Sequence, residues 1–567
     1  MTARVDPSAT PHRDLSDDPV PAEDAAPGEP EAAAEDAVPD EPPEPGARAR
    51  PARDLGPVFF ALGLFAVAFA LRFLAARLLA GEPVWDGHYY DFGARRIAEG
   101  HGYSDDRVVD GRIEWHPWCH YPVGYSAYLA AFYRVLGAHA WVAHLANGLT
   151  GALVAVVVYL LGREAMSERR ARLGGALTAL HPGLVLYGAL VMGEVLSALT
   201  VMTAFWIAIR GTRAWGSEPS LRRWYGISAG ALMLGAGALV RPQALLCAPF
   251  LALAVPLSQG RASGALRRWA PRLAAAAAAC AIALVPVLPW TARNCSVMDG
   301  CALVSTNGGW NLAIGSFPRA TGRFETLRSS DGCSEVTGQV QQDRCWLAYG
   351  VANIAGAPGR WLGLVPAKLA NTFDHESFAV EYLREARPAQ WPEARRVAWR
   401  SAITAAHRVL VVASPLAFVA LILPRRRRAG AAPGPRDAER RARERAVQGA
   451  LLGAVMLAGY LAVSADTPTF WPIVVGACAL AGLPLPGRPQ TPAALLLPVV
   501  LIATTALTHA VFFGDDRYHM VVTPALCLLA AAALRGPGPG RPAPRADGTR
   551  AARTPEVRAP REQAQAR

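Results

Sequence analysis

The stretch PVFFALGLFAVAFALRFLAARLLA at 57–80, followed at 84–96 by VWDGHYYDFGARR, decides the fold. A nearly unbroken apolar run of this length matches the roughly 20 residues an α-helix needs to cross a hydrocarbon layer. Such a run must be helical in a bilayer, because its peptide groups have no water to bond. The polar and aromatic segment that follows at once places an acid, Asp86, at the exit of the helix.

Working outward, similar runs recur at about 140–162, 173–191, 195–210, 225–240, 244–258, 273–290, 403–424, 447–465, 469–486, 491–513 and 518–534. The prediction is an all-α, polytopic transmembrane helical bundle of about 12 spans. Composition agrees: 52% of the 567 residues are hydrophobic and 18% are charged, against about 25% charged in soluble domains. The formal net charge of +12 comes largely from arginines in short connections and the C-terminal tail. That pattern sets membrane orientation and speaks against a nucleic-acid partner.

Residues 1–54, rich in Pro, Ala, Asp and Glu, read as a disordered acidic cytoplasmic tail. No signal peptide is expected there. The N-terminal membrane region is 55–290 and includes a first outer loop at 81–139. Within that loop 89–100 and 121–137 read as amphipathic helices lying at the interface. A long outer loop region (291–402), C-terminal membrane helices (403–534) and a disordered basic cytoplasmic tail (535–567) complete the chain. Basic connections at 162–172, 210–224, 261–272 and 425–430 fall on one side, the cytoplasmic one, with both termini. The two long polar segments and the turns near Glu194, Arg241, Asp466 and Asp516 then face outward. The turn near Leu483–Pro489 is the least sharply marked.

An ionised group at mid-bilayer costs roughly 2.5–3.5 kcal/mol on insertion scales, and most charges here avoid that depth. Asp86, Asp91, Glu194, Arg241 and the group Asp515-Asp516-Arg517 sit at outer helix ends, where they can converge on one outward cavity. Asp86, with Tyr89 and Tyr90 one turn on and Asp91 off that face, is either a general base or a first-turn acid favoured by the helix dipole. Glu194 interrupts an apolar stretch, as a surface turn or as a second carboxylate that orients the acceptor or holds a divalent cation. Arg241 and Arg517 either grip a phosphate or snorkel to the interface.

His116 and His120 bound HPWCH, whose spacing with Cys119 suggests zinc. No second ligand pair follows at finger spacing, and a structural or substrate-lining loop is the simpler reading. Four of the nine cysteines, Cys295, Cys301, Cys333 and Cys345, share one long polar loop. Cys295 and Cys301 are close enough in sequence to bridge locally, Cys333 with Cys345 is an alternative pairing, the sequence leaves the choice open, and disulfides are permitted if the loop lies outside the cytoplasm.

The ordered segments WDGHYYDFGARRIAEGHGY, PVGYSAYLAAFYRVLG, NGLTGALVAVVVYLLGREA, ALHPGLVLYGALVMGEVLS, RPQALL, PWTARNCSVMDGCALVSTNGGWNLAIG and DDRYHMVVTPALCLLAAAAL resemble one family. It is the polyprenyl-phosphate-dependent glycosyltransferases of the GT-C superfamily, near the family 39 group of protein O-mannosyltransferases and lipid A aminoarabinose transferases. The resemblance runs from about Trp85 to Leu534. It implies interfacial helices in the first outer loop and a cavity at the outer face of the bacterial inner membrane. There a sugar would pass from a polyprenyl-phosphate donor to a glycan, lipid or protein acceptor, with inversion.

On that resemblance Asp86 matches the catalytic acid of the first loop and Glu194 the acid that opens the span after the third. Arg241 and Arg517 would hold phosphate. Tyr89, Tyr90, Asp91, His116, His120 and His519 complete the candidate substrate-binding set. A metal is not specified; a divalent cation is one option. The chain departs from the pattern where Gly87 replaces a second acid, where Gly193 replaces a serine, and in YPVGY, which lacks the usual double proline. These departures leave the acceptor open. A secondary transporter or a lipid-linked sugar flippase is the alternative; no repeat between halves and no mid-span ionisable pairs favour the former.

Overall fold

The structure is a computed structural model that describes residues 54–213, 222–256, 265–418, 468–482 and 491–534, with positions 453 and 460. Both predicted tails, the predicted span at 447–465 and the turn at Leu483–Pro489 lie outside the described residues, except for Asp54 and positions 453 and 460.

The first apolar run is helix α1 (Gly56–Leu79). Its one deep charge, Arg72, is buried, and its guanidinium donates to the carbonyls of Ala68 at 3.0 Å, Ala179 at 2.9 Å and Thr178 at 3.0 Å. Gly151 leaves the room this side chain occupies. The expected interfacial helices are α2 (Asp86–Glu99) and α3 (Val123–Leu136). Between them is an unpredicted antiparallel hairpin of β1 (Ser104–Val109) and β2 (Arg112–Pro117). Its turn is Asp110-Gly111, with φ of 49° and 76°, the two positive values a tight two-residue hairpin turn requires.

Next come α4 (Ala140–Arg163), α5 (Glu168–Leu180), α6 (Pro182–Leu186), α7 (Glu194–Gly211) and α8 (Arg222–Val240). The run read as one span at 173–191 is broken. His181 takes extended angles before Pro182, as a residue ahead of proline must, and α5 stops there. The segment expected as a span at 244–258 is a 3-10 helix, Pro242–Ala254, with Pro249 inside it. Helix α4 packs against α1, α5 and α7, and Gly211 touches Gly226 backbone to backbone where α7 meets α8, a close approach that small residues permit.

After α9 (Ala265–Leu284) and α10 (Leu288–Val297) the second polar segment carries α11 (Gly308–Ile314), α12 (Gln339–Gly356), α13 (Pro358–Gly363), α14 (Val365–Phe373) and α15 (Phe378–Ala386). It contains disulfides Cys295–Cys301 and Cys333–Cys345. The segment folds onto the first loop: Arg293 donates to the carbonyls of Tyr103 at 2.7 Å and Trp118 at 3.1 Å, and the Cys119 amide donates to Gln339 at 3.0 Å. Helix α16 (Glu393–Ala413) starts ten residues before the expected span, and α17 (Trp471–Gly482), α18 (Ala493–Val511), a 3-10 turn (Asp516–Val521) and α19 (Thr523–Ala533) follow.

Among the described residues five helices are long and apolar enough to cross a membrane, or six if the pair Trp269–Leu284 and Leu288–Val297, bent by 42°, is one span. Four shorter apolar helices accompany them. The chain is a multi-pass, mostly helical membrane protein, with the hairpin as its one named sheet among the described residues. The predicted count of about 12 includes these short pieces and the segment outside the described residues.

Candidate active site

Helix α2 begins on Asp86, directly after Trp85, whose φ of 51° is rare for a side chain of that size. This bend turns the Asp86 carboxylate inward, 22% exposed. One oxygen accepts from the Tyr121 hydroxyl at 2.8 Å, and the other accepts from the Arg517 guanidinium. Burial raises the Asp86 carboxyl, but the charge of Arg517 and the Tyr121 hydroxyl outweigh it and hold the group below its ordinary 3.8.

Arg517 is presented by the 3-10 turn. Asp515 caps that turn by accepting from the Arg517 amide at 3.1 Å. Asp516 accepts from the amides of Ser377 and Phe378, the latter at 2.8 Å, and so ties the turn to the start of α15. Burial lifts Asp515 to about 7, against the pull of Arg517 and with the push of Asp516.

Glu194 is the first residue of α7, fully buried, and pairs with Arg241. Arg241 follows α8 and is 14% exposed. The Tyr518 ring lies between the two cations, 5.3 Å from the Arg241 guanidinium and 5.0 Å from that of Arg517. Each Nε of these arginines is buried without a hydrogen-bond partner, that of Arg517 lying 3.8 Å from the Asp515 carboxylate.

Asp86, Arg241 and Arg517 line one cavity of about 380 Å³. Tyr90 and His120 also line it, and Glu194 stands behind Arg241. Burial lowers the His120 imidazole below its ordinary value, partly offset by Asp86. An apolar wall is formed by Leu246, Phe512 and Phe513.

Four expected members of the set lie away from this cavity. Tyr89 stacks on Tyr121 at 5.5 Å but is half exposed, because consecutive residues diverge by about 100° around a helix. Asp91 is turned off the Asp86 face and clamps α2 to α3, bonded to Arg95 at 2.7 Å and accepting from Tyr133. His116 is on β2 beside Glu114 at 3.7 Å. His519 is buried, its Nδ1 2.7 Å from the carbonyl of Thr372. HPWCH does not converge on a metal either: Cys119 is buried against Thr306, and His120 faces the cavity.

Sequence reading passed over Tyr121, Gln243, Asn307, Trp310 and Tyr518, which also line the cavity. Tyr121 and Gln243 stand inside the YPVGY and RPQALL segments already singled out. Asn307 and Trp310 stand in the Gly/Asn-rich stretch.

The geometry can be set beside known proteins. Residues 120–290 match the family model of the dolichyl-phosphate-mannose-protein mannosyltransferases. The matched part contains Tyr121, Glu194 and Arg241 and is under a third of the chain. It agrees with the relation expected from the sequence. No curated protein matches. Among solved structures the chain is similar to the Archaeoglobus fulgidus oligosaccharyltransferase tethered with an acceptor peptide, at 14% identity and a TM-score of 0.42, over 85% of this chain and 49% of that one. It is also similar to ArnT from Cupriavidus metallidurans bound to undecaprenyl phosphate, at 15% identity and a TM-score of 0.32, over 85% and 78%. The chain thus spans about half the length of the oligosaccharyltransferase.

Proposed function

We propose that this protein is a glycosyltransferase of the bacterial inner membrane. It moves a sugar from a polyprenyl-phosphate donor to a glycan, lipid or protein acceptor at the outer face, with inversion. The observation that carries the reading is the single cavity where one carboxylate, Asp86, meets two guanidiniums, Arg241 and Arg517. The match over 120–290 to a family that uses a lipid-phosphate sugar supports it.

In this reading Asp86 takes the proton of the acceptor hydroxyl while that oxygen bonds to the anomeric carbon. The bond from that carbon to the donor phosphate breaks, and its electron pair leaves with the phosphate. Arg241 and Arg517 meet the growing charge by paired N–H donation. The wall of Leu246, Phe512 and Phe513 takes the first units of the polyprenyl chain. Glu194 anchors Arg241 and is not assigned a cation; the sugar-transfer step as written needs none.

The resting pair of Asp86 with Arg517 has a consequence. A carboxylate held below its ordinary pKa is a weak base, and a donor phosphate competes for the same guanidinium. Donor binding therefore frees Asp86 and raises its basicity as the donor phosphate takes over Arg517.

For sidedness, the two long polar segments meet each other in space, and the second carries two disulfides. Both facts support an outer position for 81–139 and 291–402 and a cytoplasmic one for the tails 1–54 and 535–567.

The test is Asp86→Asn, assayed in membranes with labelled polyprenyl-phosphate sugars after normal insertion is verified. Transfer should fall about 100-fold or more. Undiminished transfer would remove Asp86 as base. Solute uptake by vesicles without lipid-linked donor would replace the reading with a transporter.

A further inference from the structure

Beneath the 3-10 turn that carries Arg517 lies a cluster of polar side chains that the sugar-transfer reading does not use. Glu376, from the connection between α14 and α15, His407 of α16 and His519 of the turn are buried together. One ligand-capable atom from each lies within 4.8 Å of the others. Both Glu376 oxygens, His407 Nδ1 and His519 Nε2 are buried without a hydrogen-bond partner, although His519 Nε2 stands 3.5 Å from Glu376 Oε2. Native interiors leave very few such groups unsatisfied, and each calls for an explanation.

The outward nitrogens decide what the inward ones can do. His407 Nε2 is 2.9 Å from the carbonyl of Phe373, and His519 Nδ1 is 2.7 Å from that of Thr372. A carbonyl only accepts, so each of these nitrogens carries its hydrogen, and in the neutral rings the inward nitrogens present lone pairs. Imidazoles that ligate metals are commonly held this way.

His181 is different. Its Nδ1 accepts from the Leu184 amide at 3.4 Å, so its Nε2 carries the hydrogen. That atom stands 4.0 Å from Glu376, beyond hydrogen-bond reach, and as an N–H it offers no lone pair to an ion. Gly183 packs against the same carboxylate. A protonated His519 paired with Glu376, at 3.5 Å, would explain two of the orphaned atoms. It would leave His407 Nδ1 aimed at nothing.

We propose that Glu376, His407 and His519 bind a divalent transition ion of the zinc class, separate from the sugar-transfer cavity. Two imidazole nitrogens and one carboxylate suit zinc, with bonds of about 2.0–2.2 Å and ligand atoms roughly 3.4 Å apart in a tetrahedron. The two imidazoles are stacked with centroids 3.8 Å apart, so binding would splay the rings as the ligand atoms, now within 4.8 Å of one another, close on the ion. The ion would join α16, the connection after α14 and the turn two residues from Arg517. Its role is to hold that turn in place, and its existence does not depend on the reaction proposed above.

The test uses full-length protein in detergent, stripped with a chelator, incubated with Zn²⁺ and desalted. Elemental analysis should find about one equivalent of Zn²⁺. Co²⁺ in the same wild-type protein should give the visible bands of a near-tetrahedral N/O site. His407→Ala combined with Glu376→Gln should retain below about a tenth of the metal, whereas Glu194→Gln should retain all of it. Three results would overturn the proposal: no uptake by wild type at saturating Zn²⁺, equal uptake by the double variant, or loss of the ion in Glu194→Gln. The first needs no variant to fold, and the last would move the ion to the cavity.

Discussion

Gly87 shows how one position limits what its neighbour can be. A Cβ there would run into the Tyr382 hydroxyl and come within 3.0 Å of the Val191 carbonyl. The tyrosine hydroxyl itself accepts from the Val84 amide at 3.2 Å. The second acid expected there from the resemblance would thus collide with this tyrosine, and Asp86 is the one carboxylate at the start of α2. Its state follows from its partners. Because its carboxyl is held below 3.8 in the folded protein, its contribution to stability is full above that value and is lost as pH falls through the lowered one. If Asp86 is the base, the acid limb it produces in a pH–rate profile lies below 3.8 in the free enzyme. Tyr121→Phe removes one of the hydrogen bonds that lower it, so that limb should move upward; an unmoved limb in initial-rate measurements would separate Asp86 from the proton transfer. The candidates Asp86, Glu194, Arg241 and Arg517 were legible as charges at helix ends. Their pairing was not, because Asp86 and Arg517 are 431 positions apart. Tyr89 lies away from the cavity for a local reason, since proximity to Asp86 in sequence says little about the face of a helix, whereas Asp91 is off the Asp86 face as its position in the sequence implies.

The elements were legible to the extent that hydropathy dictates them. Long apolar runs became α1, α4, α7 and α18, and the amphipathic stretches became α2 and α3. Two other runs depart at prolines, which a hydropathy window averages over: one is broken at Pro182, and the other, with Pro249 inside it, is a 3-10 helix. The hairpin had a plain signal, Asp110-Gly111 between β-prone residues, that a search for membrane helices passes by. Arg72 is the clearest case of an element's end explaining a residue. The last carbonyls of α5, at Thr178 and Ala179, point at its guanidinium, and the C-terminus of a helix favours a cation. Arg72→Met should destabilise the protein by about 2–4 kcal/mol, since it leaves buried carbonyls unpaired. Thermal unfolding in detergent would show a lowered midpoint, and an unchanged midpoint would mean that α1 is held by apolar contact alone.

For the whole molecule, the decisive fact is that two polar segments distant in sequence cover the same cavity. Val108, on β1, and Val351, on α12, are both exposed. If these segments share the outer side, Val108→Cys and Val351→Cys, each in a background lacking the exposed Cys280, should both react with a membrane-impermeant thiol reagent added to intact cells. Labelling of one from outside and the other only after lysis would break the proposed sidedness.

The long separation of Asp86 from Arg517 also bears on how the protein is made. Glu194 meets Arg241 while the N-terminal half is being inserted, but Asp86 must wait for the last helices. At usual rates of synthesis the ribosome needs roughly 20–90 s to cover that distance. Through that interval the nascent chain holds a carboxylate without its cation at the membrane rim. A chain cut short before residue 517 would keep it so, and would offer membrane quality control a mark by which to tell an unfinished protein from a finished one.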